Sequence, residues 1–572
     1  MALDLVVKGG LVVDGTGAAP YRADVGVTGG RIVEIGRITD GARQTIDAEG
    51  HVVSPGFVDG HTHMDAQVMW DPFGTCSSWH GVTTVVMGNC GFTLAPALKD
   101  ARELVVRNLE RAEDISAEAM AEGIDWSWES FGEYLDAVER RPKGINYSGY
   151  VGHSALRTWA MGERAFSEEA GEADLERMVS GLKASLRAGA VGFTTSRSDN
   201  HETSDDRPVA SRLASWGEVS RLVGTMGSMG GGVFELALEP AAGSADPQER
   251  SEFLDRLRDL SVQSGATVTF GVLPVRADGE DWRHQLASLD ECWSRGGRMV
   301  GQSHSRGING VLSFRTKMPF DKLTEWAAIR ALPLDQQRRA LEDPEVRRRL
   351  VQAAQEGPYG RAIGAEVRPP NYKIMQVLLR GLPPNPTVDE MAAQRGVDPV
   401  DLIIDLALAT DFDQLFVQPF AAVDDEALLA IMRHPRTVMT FSDSGAHVSQ
   451  ILDSSIQTHL LGHWVRDRQA FRLEEAVRMI TSVPAAVWGF SDRGVIAEGM
   501  AADLNVFDAD QIGPELPRVV NDLPGGASRL VQKSAGIRAT IVAGEPILTD
   551  GELTGALPGR LLRGPLASGA QS

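Results

Sequence analysis

Residues 52–65 read Val-Val-Ser-Pro-Gly-Phe-Val-Asp-Gly-His-Thr-His-Met-Asp, and this stretch decides how the chain is interpreted. An apolar segment broken by a Pro-Gly turn leads directly into His61 and His63. On an extended strand, residues i and i+2 point to the same side, so the two imidazoles are expected to converge. Neutral imidazole is the commonest metal ligand, and Asp65 adds a carboxylate nearby. The stretch predicts half of a metal site at a strand end, the alternative being a pair of ordinary loop histidines.

The composition indicates an enzyme-sized globular chain. Its 572 residues are 42% hydrophobic, and 56 Lys and Arg against 78 Asp and Glu give a net charge of −22. This charge argues against nucleic acid or an anionic membrane as a partner. Three cysteines form no disulfide framework and favour a reducing compartment. Because no leader-like or membrane-length apolar run is seen, we expect a cytoplasmic protein.

The middle of the chain alternates short apolar segments with charged, amphipathic ones. Such alternation predicts an α/β fold, specifically a TIM-like (β/α)₈ barrel. The eight predicted strands are residues 52–58, 83–87, 146–151, 190–194, 233–238, 267–272, 298–301 and 437–441.

Both chain ends are instead rich in β-branched residues and glycine turns. We therefore predict a small β-sandwich domain built from residues 1–56 and 497–560, around a barrel domain of residues 57–496. Charge clusters and Pro-rich turns interrupt the alternation near residues 310–396, which predicts an insertion before the last barrel strand. No internal repeat is visible.

Catalytic side chains of a barrel gather where its strands end. The second predicted strand ends in Gly-Asn-Cys-Gly and presents Cys90, and the last ends in Ser-Asp-Ser-Gly and presents Asp443. Asp443 could ligate a metal and act as a general base for water. The alternatives are a buried, inert thiol for Cys90 and an Asx turn or helix cap for Asp443.

Together these motifs resemble the amidohydrolase superfamily. The N-terminal Asp-Gly-Thr-Gly, the His-Thr-His and Ser-Asp strand ends, and the closing Gly-Met-Ala-Ala-Asp-Leu are spaced as in that superfamily. More narrowly, three segments are similar to the D-aminoacylase (N-acyl-D-amino-acid deacylase) branch, namely residues 81–91, 151–157 and 492–496. The resemblance runs from about residue 4 to residue 565 and is weakest over residues 310–400.

The resemblance implies zinc-dependent hydrolysis of an amide, which releases a carboxylic acid and a D-amino acid. It places His61, His63, Cys90 and Asp443 around the metal, with Asp443 as the catalytic base. Zinc lowers the pKa of bound water and polarises a carbonyl. None of these motifs bears on oligomeric state.

The sequence departs from the family at the ends of the fifth and sixth strands, where relatives carry histidines. Those ends here read Phe-Glu-Leu-Ala-Leu-Glu and Phe-Gly-Val-Leu-Pro. His201 and His304, near the ends of the fourth and seventh strands, could be replacement ligands, substrate contacts or plain loop residues, and Glu235 could also substitute. We therefore expect one zinc ion rather than two.

The small-molecule substrate is expected to carry a carboxylate, which a guanidinium matches through two oxygens. Arg197 and Arg306 follow the fourth and seventh strands and are the predicted anchors, with surface solvation as the alternative. Tyr372 could polarise the amide carbonyl from the insertion. Alternative functions are hydrolysis of a cyclic amide, a carbamate or an N-acyl-L-amino acid, and a metal-binding relative without catalysis.

Overall fold

The structure is a computed structural model that describes residues 3–274, 279–363, 367–420 and 424–567. Its centre contains two parallel sheets whose strands are almost fully buried runs of apolar and β-branched residues, as expected when both faces are covered. The first sheet pairs in the order β1-β2-β3 and the second in the order β4-β5-β6-β7-β8-β9. The strands are β1 (Phe57–Asp59), β2 (Val82–Met87), β3 (Asn146–Gly149), β4 (Val151–Gly152), β5 (Gly192–Ser196), β6 (Val233–Ala237), β7 (Thr267–Gly271), β8 (Arg298–Ser303) and β9 (Thr437–Met439).

The two sheets adjoin each other at both sides. Only Tyr150 separates β3 from β4 along the chain. On the opposite side, the His63 N–H donates to the Ser444 carbonyl at 2.8 Å, and Thr62 forms a parallel bridge with Ser444. Each of the eight predicted strands overlaps an observed strand of these sheets, but two of them are split. The third is divided into β3 and β4, and only the end of the first, residues 52–58, lies in β1, because Val52–Pro55 is a strand of another sheet. Because the strands run parallel, their carboxyl ends meet at one edge.

Helices follow most of these strands and carry the charged faces seen in the sequence. Their ends use ordinary capping chemistry: Ser215 Oγ accepts from the Glu218 N–H at 3.2 Å, for example. No helix in the described ranges combines the length and apolar character needed to cross a bilayer. The α-helices are Arg102–Glu110, Ala117–Gly123, Phe131–Arg140, His153–Met161, Glu172–Ala188, Trp216–Ser228, Pro247–Ser264, Glu280–Ser294, Thr324–Arg330, Leu334–Glu342, Pro344–Glu356, Val388–Arg395, Pro399–Ala409, Asp425–Arg433, Ile456–His459, Leu473–Ile480 and Ser482–Val487, and Leu460–Asp467 is a π-helix.

Strands from both chain ends form a separate nine-stranded sheet. The chain ends meet where Val52–Pro55 pairs with Leu504–Phe507. Its strand Val52–Pro55 lies directly before β1 in the chain, so the sheet anchors the segment that carries His61 and His63. Its remaining strands are Leu3–Val12, Tyr21–Thr28, Arg31–Gly36, Ala42–Asp47, Ile537–Val542, Glu545–Thr549 and Glu552–Leu553.

The segment between β8 and β9, where the sequence predicts an insertion, has a hydrophobic core of its own. It extends from the strand Asn309–Leu312 to the strand Phe416–Pro419, which pair with each other, and Phe416–Pro419 also pairs with Gln376–Val377. Trp326 is fully buried in this core and stacks on Phe320, with 4.4 Å between the ring centroids. The insertion is therefore longer than the 310–396 segment expected from the charge clusters and Pro-rich turns.

Candidate metal centre and substrate cavity

Four predicted ligands come together at the carboxyl ends of the parallel strands. One ligand atom from each of His61, His63 and Cys90 lies within 4.8 Å of the others, and all three side chains are buried. Asp443, which follows β9, places Oδ1 3.0 Å from His61 Nε2 and 3.5 Å from His63 Nε2. Two imidazoles, a thiol and a carboxylate are the donor types that zinc prefers.

The Gly-Asn-Cys-Gly turn after β2 positions the thiol by backbone geometry. Gly88, Cys90 and Gly91 all adopt left-handed conformations, with φ of 88°, 55° and 80°. A side chain at Gly91 would approach the backbone of β5 to about 3.0 Å, so glycine is needed there. The Cys90 N–H donates to Glu235 Oε2 at 2.7 Å, and the Gly91 N–H donates to Thr194 Oγ1 at 3.1 Å. The turn is thus fixed to both β5 and β6.

The outer nitrogens of the two histidines face polar partners. His61 Nδ1 lies 2.6 Å from Gln302 Oε1, an acceptor, which places a proton on Nδ1 and leaves Nε2 free for a metal. His63 Nδ1 lies 3.5 Å from Glu113 Oε2. Such contacts orient metal-binding imidazoles and fix their tautomers. Sequence reasoning did not find Gln302 or Glu113.

The site concentrates buried acids that pair with no described lysine or arginine. Asp65, Glu113, Glu235 and Asp443 are all buried, and none forms an ion pair with a described lysine or arginine. Burial raises the pKa of Glu235 to about 7 and that of Asp65 to about 8. Burial also raises the pKa of Glu113, and that of the Cys90 thiol, well above their usual ranges. A divalent cation would relieve this accumulation of acidic groups, so the residues present fit a metal ion.

Asp443 differs from the other acids because it faces both imidazoles. Burial alone would raise its pKa, but hydrogen bonding to His61 and His63 holds it well below its usual value. It therefore stays ionised, as a ligand and a base must. Its backbone is left-handed at φ 49°, as are those of Cys90, Phe441 (φ 91°) and His447 (φ 49°). Such conformations cost energy outside glycine and cluster at functional sites.

The ends of β6 and β7 carry no histidine, and the structure shows what occupies them. Glu235 on β6 places Oε1 3.9 Å from Cys90 Sγ. At the end of β7, the missing side chain of Gly271 leaves room for the ring of Phe441, about 3.1 Å from where a Cβ would lie. That ring packs edge-on against His61, with 4.3 Å between centroids. An aromatic ring therefore fills the space beside β7.

A cavity of about 470 Å³ opens onto this cluster. Its walls include His63, Cys90, Glu113, Glu235 and Asp443, together with His201 and His447 and a series of apolar side chains. The insertion contributes Arg368, whose guanidinium stacks over the ring of Phe420 at 5.0 Å. Arg368 is half-buried, forms no ion pair with a described residue, and its Nε has no hydrogen-bond partner. The cavity thus presents to the same ligand a metal-binding cluster and a guanidinium that no described acid neutralises.

Several residues proposed from the sequence are engaged elsewhere. His304 lies 3.4 Å from Asp453 and does not line the cavity. Arg197 pairs with Glu239 at 3.1 Å, and Arg306 pairs with Asp453 at 2.8 Å. Neither guanidinium lines the cavity, because each is held by a carboxylate distant in sequence.

Two further predicted contacts have different outcomes. Tyr372 packs with Tyr359 against the core of the insertion rather than lining the cavity. His201 does line the cavity, where Nδ1 contacts Ser196 Oγ at 2.6 Å. Burial lowers the pKa of His201 to about 3, so its imidazole is neutral and available for a hydrogen bond.

Known proteins match the chain over nearly its whole length. Residues 44–548 match the model of the amidohydrolase family. The chain belongs to the amidohydrolase family. Among amidohydrolases, it is 29% identical to a D-aminoacylase and 30% identical to an N-acyl-D-glutamate deacylase, both from Alcaligenes xylosoxydans xylosoxydans. These alignments cover 98% of this chain and 97% and 96% of the two relatives.

A solved amidohydrolase structure has the same fold. It is the N-acyl-D-glutamate deacylase from Bordetella bronchiseptica, complexed with zinc and a phosphonate inhibitor that mimics the tetrahedral intermediate. The TM-score is 0.66 at 23% identity, covering 98% of this chain and 100% of that one. The resemblance to the D-aminoacylase branch seen in the sequence is confirmed.

Proposed function

We propose that the protein is a zinc-dependent hydrolase that cleaves the amide bond of N-acyl-D-amino acids. The observation that carries the proposal is one cavity lined both by His63, Cys90 and Asp443 of the buried cluster and by the guanidinium of Arg368, which pairs with no described acid. An N-acyl amino acid presents the two matching groups, a carbonyl for the metal and a carboxylate for the guanidinium. We infer the D configuration from the two relatives, a D-aminoacylase and an N-acyl-D-glutamate deacylase.

Zinc held by His61, His63, Cys90 and Asp443 would polarise the scissile carbonyl and acidify the attacking water. Asp443 Oδ1 faces the two imidazoles, so Oδ2 is the oxygen that takes a proton from the water and passes it to the leaving nitrogen. Gln302 fixes the tautomer of His61. Arg368 binds the substrate carboxylate, a role that Arg197, Arg306 and Tyr372 are not placed to fill.

We propose a single zinc ion. The end of β7 is filled by the ring of Phe441, and the carboxylate of Glu235 on β6 is engaged by the Cys90 N–H. These two contacts occupy the places at the ends of β6 and β7 where ligands for a second ion would be expected. His201 then serves as a hydrogen-bonding group for the substrate, and His304 has a structural contact with Asp453.

We also propose that the two parallel sheets close into a (β/α)₈ barrel spanning residues 57–496, with the insertion described above. The continuity of β3 with β4 and the bridge between Thr62 and Ser444 support closure. Residues 1–56 and 497–560 form the accompanying β-domain. The three cysteines are free and buried, which supports a place in the reducing cytoplasm.

The test measures metal content and turnover of the purified protein with N-acetyl derivatives of D- and L-amino acids. We expect about one zinc per chain and hydrolysis of the D series. Asp443→Asn should abolish turnover, whereas Asp413→Asn, at an exposed site, should not. Zinc-loaded protein that hydrolyses neither series would refute the function, and hydrolysis of L-forms alone would refute the stereochemical assignment.

A further inference from the structure

The cavity beside the metal-binding cluster has a wall of half-buried apolar side chains that exceeds what a small substrate needs. Leu238, Leu273, Ile308, Phe420 and Phe441 all line it, and each is only partly buried. A volume of about 470 Å³ falls within the range of roughly 300–1,000 Å³ typical of sites for drug-sized ligands. An N-acetyl amino acid is much smaller than such ligands. A concave apolar wall left in water is unfavourable, so the wall indicates an apolar occupant.

The apolar wall has two sides, one next to the insertion and the other next to the ends of β6 and β7. Phe420 and Ile308 belong to the insertion side: Phe420 stacks under Arg368, and its N–H donates to the Ile308 carbonyl at 3.1 Å. Leu238 and Leu273 belong to the barrel side, because they follow β6 and β7.

The barrel side adjoins the metal-binding cluster. Glu235 on β6 accepts from the Cys90 N–H, and Gly271 on β7 lies under the Phe441 ring that contacts His61. In an N-acyl amino acid the acyl chain and the carboxylate lie on opposite sides of the amide. With the carboxylate at Arg368 and the carbonyl at a metal held by the cluster, the acyl chain would extend along the barrel side.

We propose that the preferred substrates are amino acids acylated with a long or bulky apolar group, and that Leu238 and Leu273 contact the acyl chain. This inference rests on the proposed function and adds the class of acyl group. Among the described residues lining the cavity, Arg368 carries the one guanidinium or ammonium group. The substrate is therefore expected to carry a single negative charge, that of its carboxylate. Phe420 and Ile308 then face the amino-acid side chain, which is apolar as well.

The experiment compares kcat/KM of the zinc-loaded enzyme for N-acetyl-, N-butanoyl-, N-hexanoyl- and N-octanoyl-D-leucine. Each methylene that becomes buried should raise kcat/KM up to roughly fourfold, which corresponds to about 0.8 kcal/mol. We expect a rise of at least about tenfold from acetyl to octanoyl, given partial burial. A flat or falling series would overturn the inference while leaving the hydrolase assignment intact. Failure to hydrolyse any member would overturn both.

Variants locate the acyl site. Leu238→Asp and Leu273→Asp should each lower the octanoyl-to-acetyl ratio of kcat/KM by at least about tenfold. Leu379→Asp is the matched control, because Leu379 is 52% exposed and lies outside the cavity. If an aspartate variant fails to fold, Leu238→Trp replaces it and should shift the optimum to a shorter acyl chain by filling the cavity. An unchanged chain-length profile in folded Leu238 variants would overturn the assignment of this wall.

Discussion

Replacing Arg368 with methionine tests how the substrate carboxylate is recognised. Methionine keeps much of the length and apolar contact with Phe420 but removes the charge and the donors. The Arg368 guanidinium has no ion pair to a described residue, so binding a carboxylate there breaks no salt bridge within the described part of the chain. Hydrogen bonds to charged groups contribute about 1.5–3 kcal/mol, which corresponds to a loss in kcat/KM of roughly 10- to 150-fold.

The assay compares N-acetyl-D-leucine with its methyl ester, which lacks the charge. The wild-type enzyme should prefer the free acid, and Arg368→Met should lose that preference while retaining activity on the ester. Arg368→Lys should be intermediate, since an ammonium keeps the charge without the planar fork. Arg339→Met is the control, because that side chain is 79% exposed on the insertion surface. An equal fall for acid and ester would refute the role of Arg368 as the carboxylate anchor.

Three other predictions concern the metal and the fold. Gln302→Leu should weaken zinc affinity by roughly 10- to 100-fold, measured by chelator competition, because His61 loses the acceptor that fixes its tautomer. Cys90→Ser should lower zinc content at equilibrium with a chelator while the circular dichroism spectrum stays unchanged; full zinc retention would contradict ligation by the thiol. Burial would raise the pKa of Glu218, but hydrogen bonds from His153 and Arg157 lower it to about 2. The ionised Glu218 carboxylate therefore stabilises the folded protein above about pH 4.5, and this stabilisation is lost as the pH falls toward 2. Glu218→Gln should therefore destabilise the protein by about 3–5 kcal/mol at pH 7 and flatten its acid denaturation between pH 4.5 and 2, which a pH series of melting curves would check.

The sequence was most informative where a single strand and the turn after it carry the signal. The His-Thr-His pair, Cys90 and Asp443 were predicted because each directly follows an apolar strand, and parallel strands bring such residues to one edge. Arg368 and Glu113 carry no such signal, since their positions depend on loops whose paths are set by tertiary packing. The same limit explains Arg197 and Arg306, whose partners Glu239 and Asp453 lie 42 and 147 residues away. Ion pairs of that range could not be read from local patterns.

The insertion gives the two halves of the site different architectural origins. The metal-binding cluster stands on strand ends, whereas Arg368 comes from a segment with its own hydrophobic core. Mutations in this segment can therefore alter which molecule is bound while leaving the residues of the metal-binding cluster in place. Diversification of substrate range within such a lineage would proceed by exchange or remodelling of the insertion, and chimaeras joined at residues 309 and 419 offer a practical route to enzymes of new specificity.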